Sequence, residues 1–117
     1  MSIYEYQTFK VGNLAEANFI SKKHKKERIN LLHKYESIIW QGPHYIKVIN
    51  EKLKKKKINY IAEPRDDLGL IISLINFKIK KIAISKKIRN KTLKKILSIA
   101  ENEEIQIFFV ENFNFEE

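Results

Sequence analysis

The sequence predicts an α/β fold: one small domain in which a mostly parallel sheet of about four strands carries helices on both faces. Three observations lead there. Short apolar runs alternate along the chain with segments of helical period, the rhythm of strand–helix–strand units. The strand candidates are continuously apolar, as in Ile38-Ile39-Trp40 and Ile107-Phe108-Phe109-Val110; such runs suit burial from both sides rather than one. Finally, 117 residues with 44% hydrophobic content suffice for one core and leave no room for a second. Residues 1–117 therefore read as a single domain, with 1–13 as an N-terminal arm and 112–117 as an acidic tail free to fray.

Residues 14–34 read as helical. Leu14, Ala17 and Ile20 share one face, as do Ile29, Leu32 and His33, while Ser21 to Glu27 carry no apolar anchor. This is either one helix with an exposed basic middle or two short ones. Residues 35–41 (YESIIWQ) read as a strand closed by Gly42-Pro43. Over 44–57 the period becomes helical, with Ile46, Ile49 and Leu53 on one face and lysines at the C-terminal end, where the helix dipole favours cations. Residues 58–63 (INYIAE) form the next strand, stopped by Pro64. Asp66 or Asp67 is placed to cap a helix over Leu68, Ile71, Ile72 and Ile75, although LGLIISLI equally suits a buried strand. Residues 79–85 form a strand, and 91–104 form a helix with Leu93, Ile96, Leu97 and Ala100 on its stripe. Residues 105–110 form the last strand.

Charge is unevenly distributed. The net formal charge is +9, residues 22–57 hold twelve Lys/Arg against three Glu, and residues 78–95 hold nine Lys/Arg and no acid. Such blocks suit a phosphate-binding face. A lysine bias, with Arg only at positions 28, 65 and 89, is also what an AT-rich genome writes onto a surface. Lysine is a point charge, so binding through it favours backbone and shape over base identity.

Several classes are excluded. No apolar run is long enough for a transmembrane helix, and the N-terminal residues show no secretory h-region. The chain has no cysteine, which removes disulfides and thiol chemistry and suits a reducing, cytoplasmic setting. Three scattered glycines make neither a Walker loop nor a dinucleotide fingerprint. Three histidines without metal-ligand spacing give no metal site, and no cofactor is expected.

In a parallel sheet, ligands sit beyond the carboxyl ends of the strands. On this reading those ends are Gln41 to His44, Glu63 to Asp67, Ser85 to Lys87, and Glu111-Asn112. Arg65-Asp66-Asp67 is the most polar: either a helix cap with a local ion pair, or a Mg²⁺ site. A restriction-nuclease-like site needs a second acid on the following strand, where Ile84 and Ser85 stand instead. His24 and His33 read as solvent-facing helix residues, and His44 as a helix-start residue or a phosphate contact. Ser37, Ser73 and Ser85 lie on no nucleophile elbow. Trp40, Phe108 and Phe109 read as core, Phe113 and Phe115 as exposed aromatics for a protein contact. Tyr4, Tyr6 and Phe9 would tie the arm to the sheet or to a partner.

Over residues 35–84, the strand YESIIWQG, the helix PHYIKVINEKLKKKK, the strand INYIAE, Leu68-Gly69 and the strand IKKIAI together resemble the L7Ae/L30e-like RNA-binding α/β fold. Ile58-Asn59-Tyr60 and Leu68-Gly69 stand near the family's strand and helix-start motifs. Asn59 occupies the position of its usual proline, and its Gly-x-Asn-Glu contact motif has no clear counterpart. The resemblance implies RNA association and assigns no contact residue.

The expected function is a small basic nucleic-acid-binding module, RNA before DNA, without catalytic activity. Phosphate contacts would come from Lys22, Lys23, Lys25, Lys26 and Arg28, from Lys54, Lys55, Lys56 and Lys57, and from Lys86, Lys87, Arg89 and Lys91. The alternative is a protein-interaction or inhibitor protein, such as a viral or mobile-element factor that binds a nucleic-acid enzyme, or a homodimer. A second alternative is a divergent or degenerate nuclease-like enzyme. No membrane association is expected.

Overall fold

The computed structural model describes residues 2–54 and 57–116. Strands and helices alternate: β1 (Thr8–Val11), α1 (Leu14–Lys23), β2 (Ile29–His33), α2 (Tyr35–Gln41), α3 (Pro43–Lys52), β3 (Ile58–Arg65), α4 (Leu68–Asn76), β4 (Lys81–Ile84), α5 (Asn90–Asn102), β5 (Gln106–Phe109) and β6 (Phe115–Glu116). Two 3₁₀ turns, Ile3–Glu5 and Val110–Asn112, lie near the ends. The sheet is parallel throughout, in the order β5-β4-β3-β2-β1-β6. The α/β class and the parallel sheet stand as expected, with more strands than the four anticipated.

From β1 to β5 every crossover steps to the next strand in the same direction. Right-handed crossovers that never reverse place every helix on one face. The core agrees. Ala17, Ile38, Ile46, Ile49, Ile71, Leu74, Ile75, Ile96 and Ala100, drawn from all five α-helices, join Val11, Leu31, Tyr60, Ala62, Ile82 and Ile84 in one cluster. The alternate strand residues Leu32, Ile61 and Ala83 face the other way, against Phe113, Ile3, Tyr4, Phe108, Val110 and Phe115. So the sheet is covered on both sides, but unequally. Five α-helices lie on one side, and only the two 3₁₀ turns and their neighbours on the other.

That second cover forces curvature. From Phe109 to Phe115 the chain has about 23 Å of reach when fully extended. Five strand spacings on a flat sheet measure about 24 Å, and the Val110–Asn112 turn shortens the reach further. The sheet must therefore curl around residues 110–115, as part of a barrel wall does. The N-terminal segment spans the same concavity. Asn30 Nδ2 donates to the Ile3 carbonyl at 2.8 Å, and Phe109 N donates to Tyr4 Oη at 3.0 Å. Residues 2–13 are thus tied to the sheet, and residues 112–115 of the expected tail pack against it; Met1 and Glu117 lie outside the described residues. Phe113 is 4% exposed, with its ring 4.7 Å from that of Tyr4.

Two neighbouring elements exchange the types expected of them. Residues 29–33 form a central strand with all five residues buried; Ile29 and Leu32 reproduce a helical spacing only because both faces of the strand are apolar. Residues 35–41 form a short helix that buries Ile38 and leaves Ile39 and Trp40 in solvent. It ends at Gly42, whose φ of 84° admits glycine far more readily than any side chain. The strand on which the L7Ae/L30e resemblance begins is therefore a helix. Residues 68–76 are helical, with Asp67 Oδ1 accepting from Leu70 N at 3.1 Å as the N-cap. Pro64 lies inside β3 rather than ending it, at a register shift between Ala62 and Arg65 where its missing N–H costs no ladder bond.

Candidate functional site

A parallel sheet has two ends, and the polar residues gather at both. At the amino end, the segments entering β2, β3 and β4 lie side by side because those strands are neighbours. This brings Lys22, Lys23, Lys25, Lys26 and Arg28 beside Lys54 and Lys57, and those beside Lys78, Lys80 and Lys81. Lys57 Nζ donates to the Lys26 carbonyl at 3.5 Å, and Ile29 N donates to the Lys57 carbonyl at 3.0 Å, tying the first two segments together. Two basic stretches far apart in sequence become one edge. Counter-charges sit within it: Glu51 pairs with Lys54, Glu103 with Lys78, Glu27 sits beside His24, and Glu101 and Glu104 lie in the segment that enters β5 beside β4. Lys55 and Lys56, also expected at a phosphate face, fall outside the described residues.

Under this edge, a cavity of 340 Å³ is lined by Arg28, Lys81, Asn59, Gln106, Tyr4, Tyr6 and Phe108, among others. The Arg28 guanidinium lies 5.8 Å from the centre of the Tyr6 ring. Burial holds the Lys81 ammonium below its ordinary pKa, and the nearby charge of Arg28 adds to the effect. Among the described residues neither cation has a salt-bridge partner. Above the cavity runs a ladder of buried amides: Asn59 Nδ2 donates to Asn30 Oδ1 at 3.0 Å, and Asn30 Nδ2 donates to Thr8 Oγ1 at 3.0 Å.

Lys86, Lys87, Arg89 and Lys91 do not join this surface. They follow β4 at the opposite, carboxyl end. The expected phosphate-contacting set therefore divides between two ends of the molecule, and Lys78, Lys80 and Lys81, outside that set, belong to the larger group. The signal for them was present in the sequence: Lys78, Lys80 and Lys81 lead into the strand of residues 81–84 as Lys22 to Arg28 lead into that of residues 29–33.

The carboxyl end holds a cavity of 290 Å³ lined by Glu63, Arg65, Asp66, Ser85, Lys87, Val110 and Glu111. Glu63 is 4% exposed, and its Oε1 has no hydrogen-bond partner among the described residues. Its Oε2 accepts from Arg65 Nε at 3.3 Å. Burial raises the Glu63 carboxyl above its ordinary pKa, against the pull of Arg65 and of the Tyr35 backbone N–H at the start of α2. Arg65 is shared, donating through Nη2 to Glu36 at 2.6 Å. It also sits at a φ of 56°, a left-handed conformation rare for arginine, immediately after the β3 irregularity. Glu111 is satisfied by Ser85 Oγ at 2.8 Å and Lys86 N at 3.0 Å, and these bonds hold its carboxyl below its ordinary pKa despite partial burial. Asp67 is occupied as the α4 cap and accepts from Tyr35 Oη at 3.1 Å. Among the described residues no cluster of three or more His, Asp or Glu is placed to hold a metal ion.

His24 and His33 leave the solvent-facing helix positions expected for them, while His44 takes the helix-start position expected for it. His33 is buried in β2, with Nε2 2.7 Å from Gln41 Oε1 and Nδ1 2.8 Å from Tyr60 Oη. Gln41 Nε2 donates to the Gly12 carbonyl at 2.6 Å, so Gln41 Oε1 is the acceptor. His33 then carries its proton on Nε2 and accepts from Tyr60 at Nδ1. Burial lowers the His33 pKa and keeps the ring neutral. His24 is half-buried with its ring 4.8 Å from that of Phe9. His44 lies in the first turn of α3, edge-on to Phe77, and not at a strand end. Trp40, expected in the core, is 88% exposed. Among the described residues no helix is long and apolar enough to cross a membrane.

No family model matches the chain, and neither a curated protein nor a solved structure matches it.

Proposed function

We propose that this protein binds a polyanion, RNA before duplex DNA, through the amino-end edge of its sheet. The observation that supports this most is the convergence of Lys22 to Arg28, Lys57 and Lys78 to Lys81 on one edge, together with Arg28 and Lys81, neither salt-bridged among the described residues, in a single aromatic-walled cavity. Two cations in one partly buried pocket repel each other, and a phosphate between them would relieve that cost. Lysine-dominated contacts bind backbone, so affinity outweighs sequence preference. Tyr4, Tyr6 and Phe108 offer ring faces or edges to an unpaired base.

The test is binding of a labelled RNA hairpin and of a matched DNA duplex across a salt series. With about six phosphate contacts, log K against log salt should fall with a slope of about −5. Charge reversal of Lys25 and Lys26 should flatten the slope by about two. Binding that is insensitive to salt, or unaffected by the reversal, refutes the proposal.

A second reading, a protein-binding module, draws on α2, where Ile39 and Trp40 are 53% and 88% exposed side by side. It requires a stable homodimer or a protein complex that Trp40→Ala disrupts, read by light scattering after gel filtration. A monomer whose associations ignore that substitution removes it.

A further inference from the structure

The two side edges of the sheet are open, and they differ. Among the described residues β5 pairs only with β4, and the two-residue β6 is the last strand beyond β1. Gln106 N donates to the Lys80 carbonyl, so Gln106 and Phe108 turn their backbone groups towards β4, and Ile107 and Phe109 turn theirs outward. Tyr4 Oη takes the outward N–H of Phe109; among the described residues no strand lies beside Ile107 on that side. An edge strand is ordinarily blunted by a lysine, a proline or a bulge. The Gln-Ile-Phe-Phe of β5, paired in continuous register with β4, has none of these.

The helices at these edges carry complementary flanks. In α5 the buried stripe is Ile96 and Ala100. Glu103 pairs with Lys78, just past α4, so Ile99 and Glu103 mark the flank towards α4. Leu97 and Glu101, one turn apart, mark the opposite flank, at the free edge. Leu97 is 42% exposed, and Glu101 is exposed. At the other edge, Phe19, Ile20 and Lys23 of α1 line a cleft with Phe9 of β1 and Phe115 of β6; Phe19 is 69% exposed. Neither Glu101 nor Lys23 has a salt-bridge partner among the described residues. Both helices run from the carboxyl end of the sheet to its amino end. One edge thus offers an apolar side chain followed by an acid one turn on, and the other an apolar seat followed by a base one turn on.

We propose that the β5–α5 edge of one copy of this chain docks head to tail on the β6–α1 edge of a second copy. β5 lies parallel beside β6 of the second copy, Leu97 enters the cleft of the second copy's Phe19 and Ile20, and Glu101 faces its Lys23. The charge pattern selects this pairing over a symmetric one. Two β5 edges joined about a two-fold axis would run antiparallel and set Glu104 of each copy opposite Glu111 of the other, acid against acid. Because the sheet curls, successive copies turn about an axis parallel to the strands, so the contact closes into a ring, a dimer being the smallest, instead of running on as a filament. The surface excludes Trp40, since α2 lies mid-layer between β2 and β3. It shares only Lys23 with the polyanion edge and does not rest on that reading.

The experiment is sedimentation velocity on the nuclease-treated protein over a concentration series up to the high micromolar range. The parent chain should form a discrete species at a whole-number multiple of 14.0 kDa. Phe19→Glu, at an exposed position that leaves the core untouched, should be monomeric with an unchanged circular dichroism spectrum. Lys23→Glu and Glu101→Lys should each raise the concentration of half-assembly roughly tenfold or more, and the double variant carrying both should return it towards that of the parent, because the pair is re-formed with its signs exchanged. Trp40→Ala should assemble like the parent. A monomeric parent, a Phe19→Glu protein that still assembles, or a double variant no better than the single ones overturns the proposal. Loss of assembly in Trp40→Ala overturns it in favour of α2 as the contact. None of these readouts involves RNA, so failure here is separate from failure of the polyanion reading.

Discussion

Replacing Glu63 with glutamine should make the unliganded protein more stable at neutral pH. The carboxylate is 4% exposed, Oε1 has no hydrogen-bond partner among the described residues, and an orphaned buried polar group costs about 1–3 kcal/mol. Arg65 offsets only part of this. Its side chain is 45% exposed, its bond to Glu63 is long at 3.3 Å, and it is shared with Glu36, so solvent screens the attraction. The pKa of Glu63 is raised by burial, which fixes the sign. A carboxyl with a raised folded-state pKa binds its proton more tightly in the native protein, so stability is lost as pH rises from the ordinary glutamate value through the raised one. The cost is fully present above that window and absent below it. Glutamine removes the ionisation but leaves a buried amide where the carboxylate stood, so the variant should gain only the low end of that range, about 1 kcal/mol at pH 7.5, or a Tm rise of roughly 4 °C for a domain of this size. The gain should fade as pH falls towards 4. Urea unfolding of both proteins at pH 7.5 and pH 4 measures it. A variant less stable than the parent at pH 7.5, or a gain equal at both pH values, would show that Glu63 is a satisfied structural residue.

Three further outcomes follow from particular contacts. Tyr60→Phe deprives His33 Nδ1 of its donor in a fully buried position and should cost about 1–3 kcal/mol by urea unfolding; a change within a few tenths would refute the assigned tautomer. The depressed His33 pKa means that the unfolded chain takes up that proton first. Stability should therefore fall as pH drops below about 6.5, with a slope approaching 1.4 kcal/mol per pH unit, and His33→Gln should flatten this segment. Phe113→Ala should cost roughly 3 kcal/mol, because the ring packs against Tyr4 and Phe108 over the concave face. A fraying tail would give almost nothing.

The α/β class was legible because helical and strand periods do alternate, and the second half of the chain read nearly residue by residue. Ile58, Ile82 and Ile107 lie in strands, Asp67 caps a helix, and Ile96 and Ala100 are buried. The first half misled for a definite reason. In a central parallel strand, apolarity on both faces erases the period of two, so Ile29 to His33 imitated a helix. In α2 the run Ile38-Ile39-Trp40 imitated a strand although two of its three residues face solvent. β1 was missed because Thr8 to Val11 is short and contains an exposed lysine at position 10. The one-sided helix layer follows from strand order, which no local pattern encodes. The same holds for the sites. Lys22 and Lys81 lie far apart in the chain, and only the adjacency of β2, β3 and β4 joins them. Glu63 looked like the polar end of a strand, and nothing in the sequence marked its burial.

The most direct test of the polyanion edge is to titrate ¹⁵N-labelled protein with the RNA hairpin at moderate salt and follow the backbone amides. Perturbations should concentrate at residues 22–28, 57 and 78–81 and spread to Tyr4, Tyr6 and Phe108, while 86–91 stay unmoved. Perturbations centred on 86–91, or none at all, would contradict the assignment of the basic edge as the binding surface.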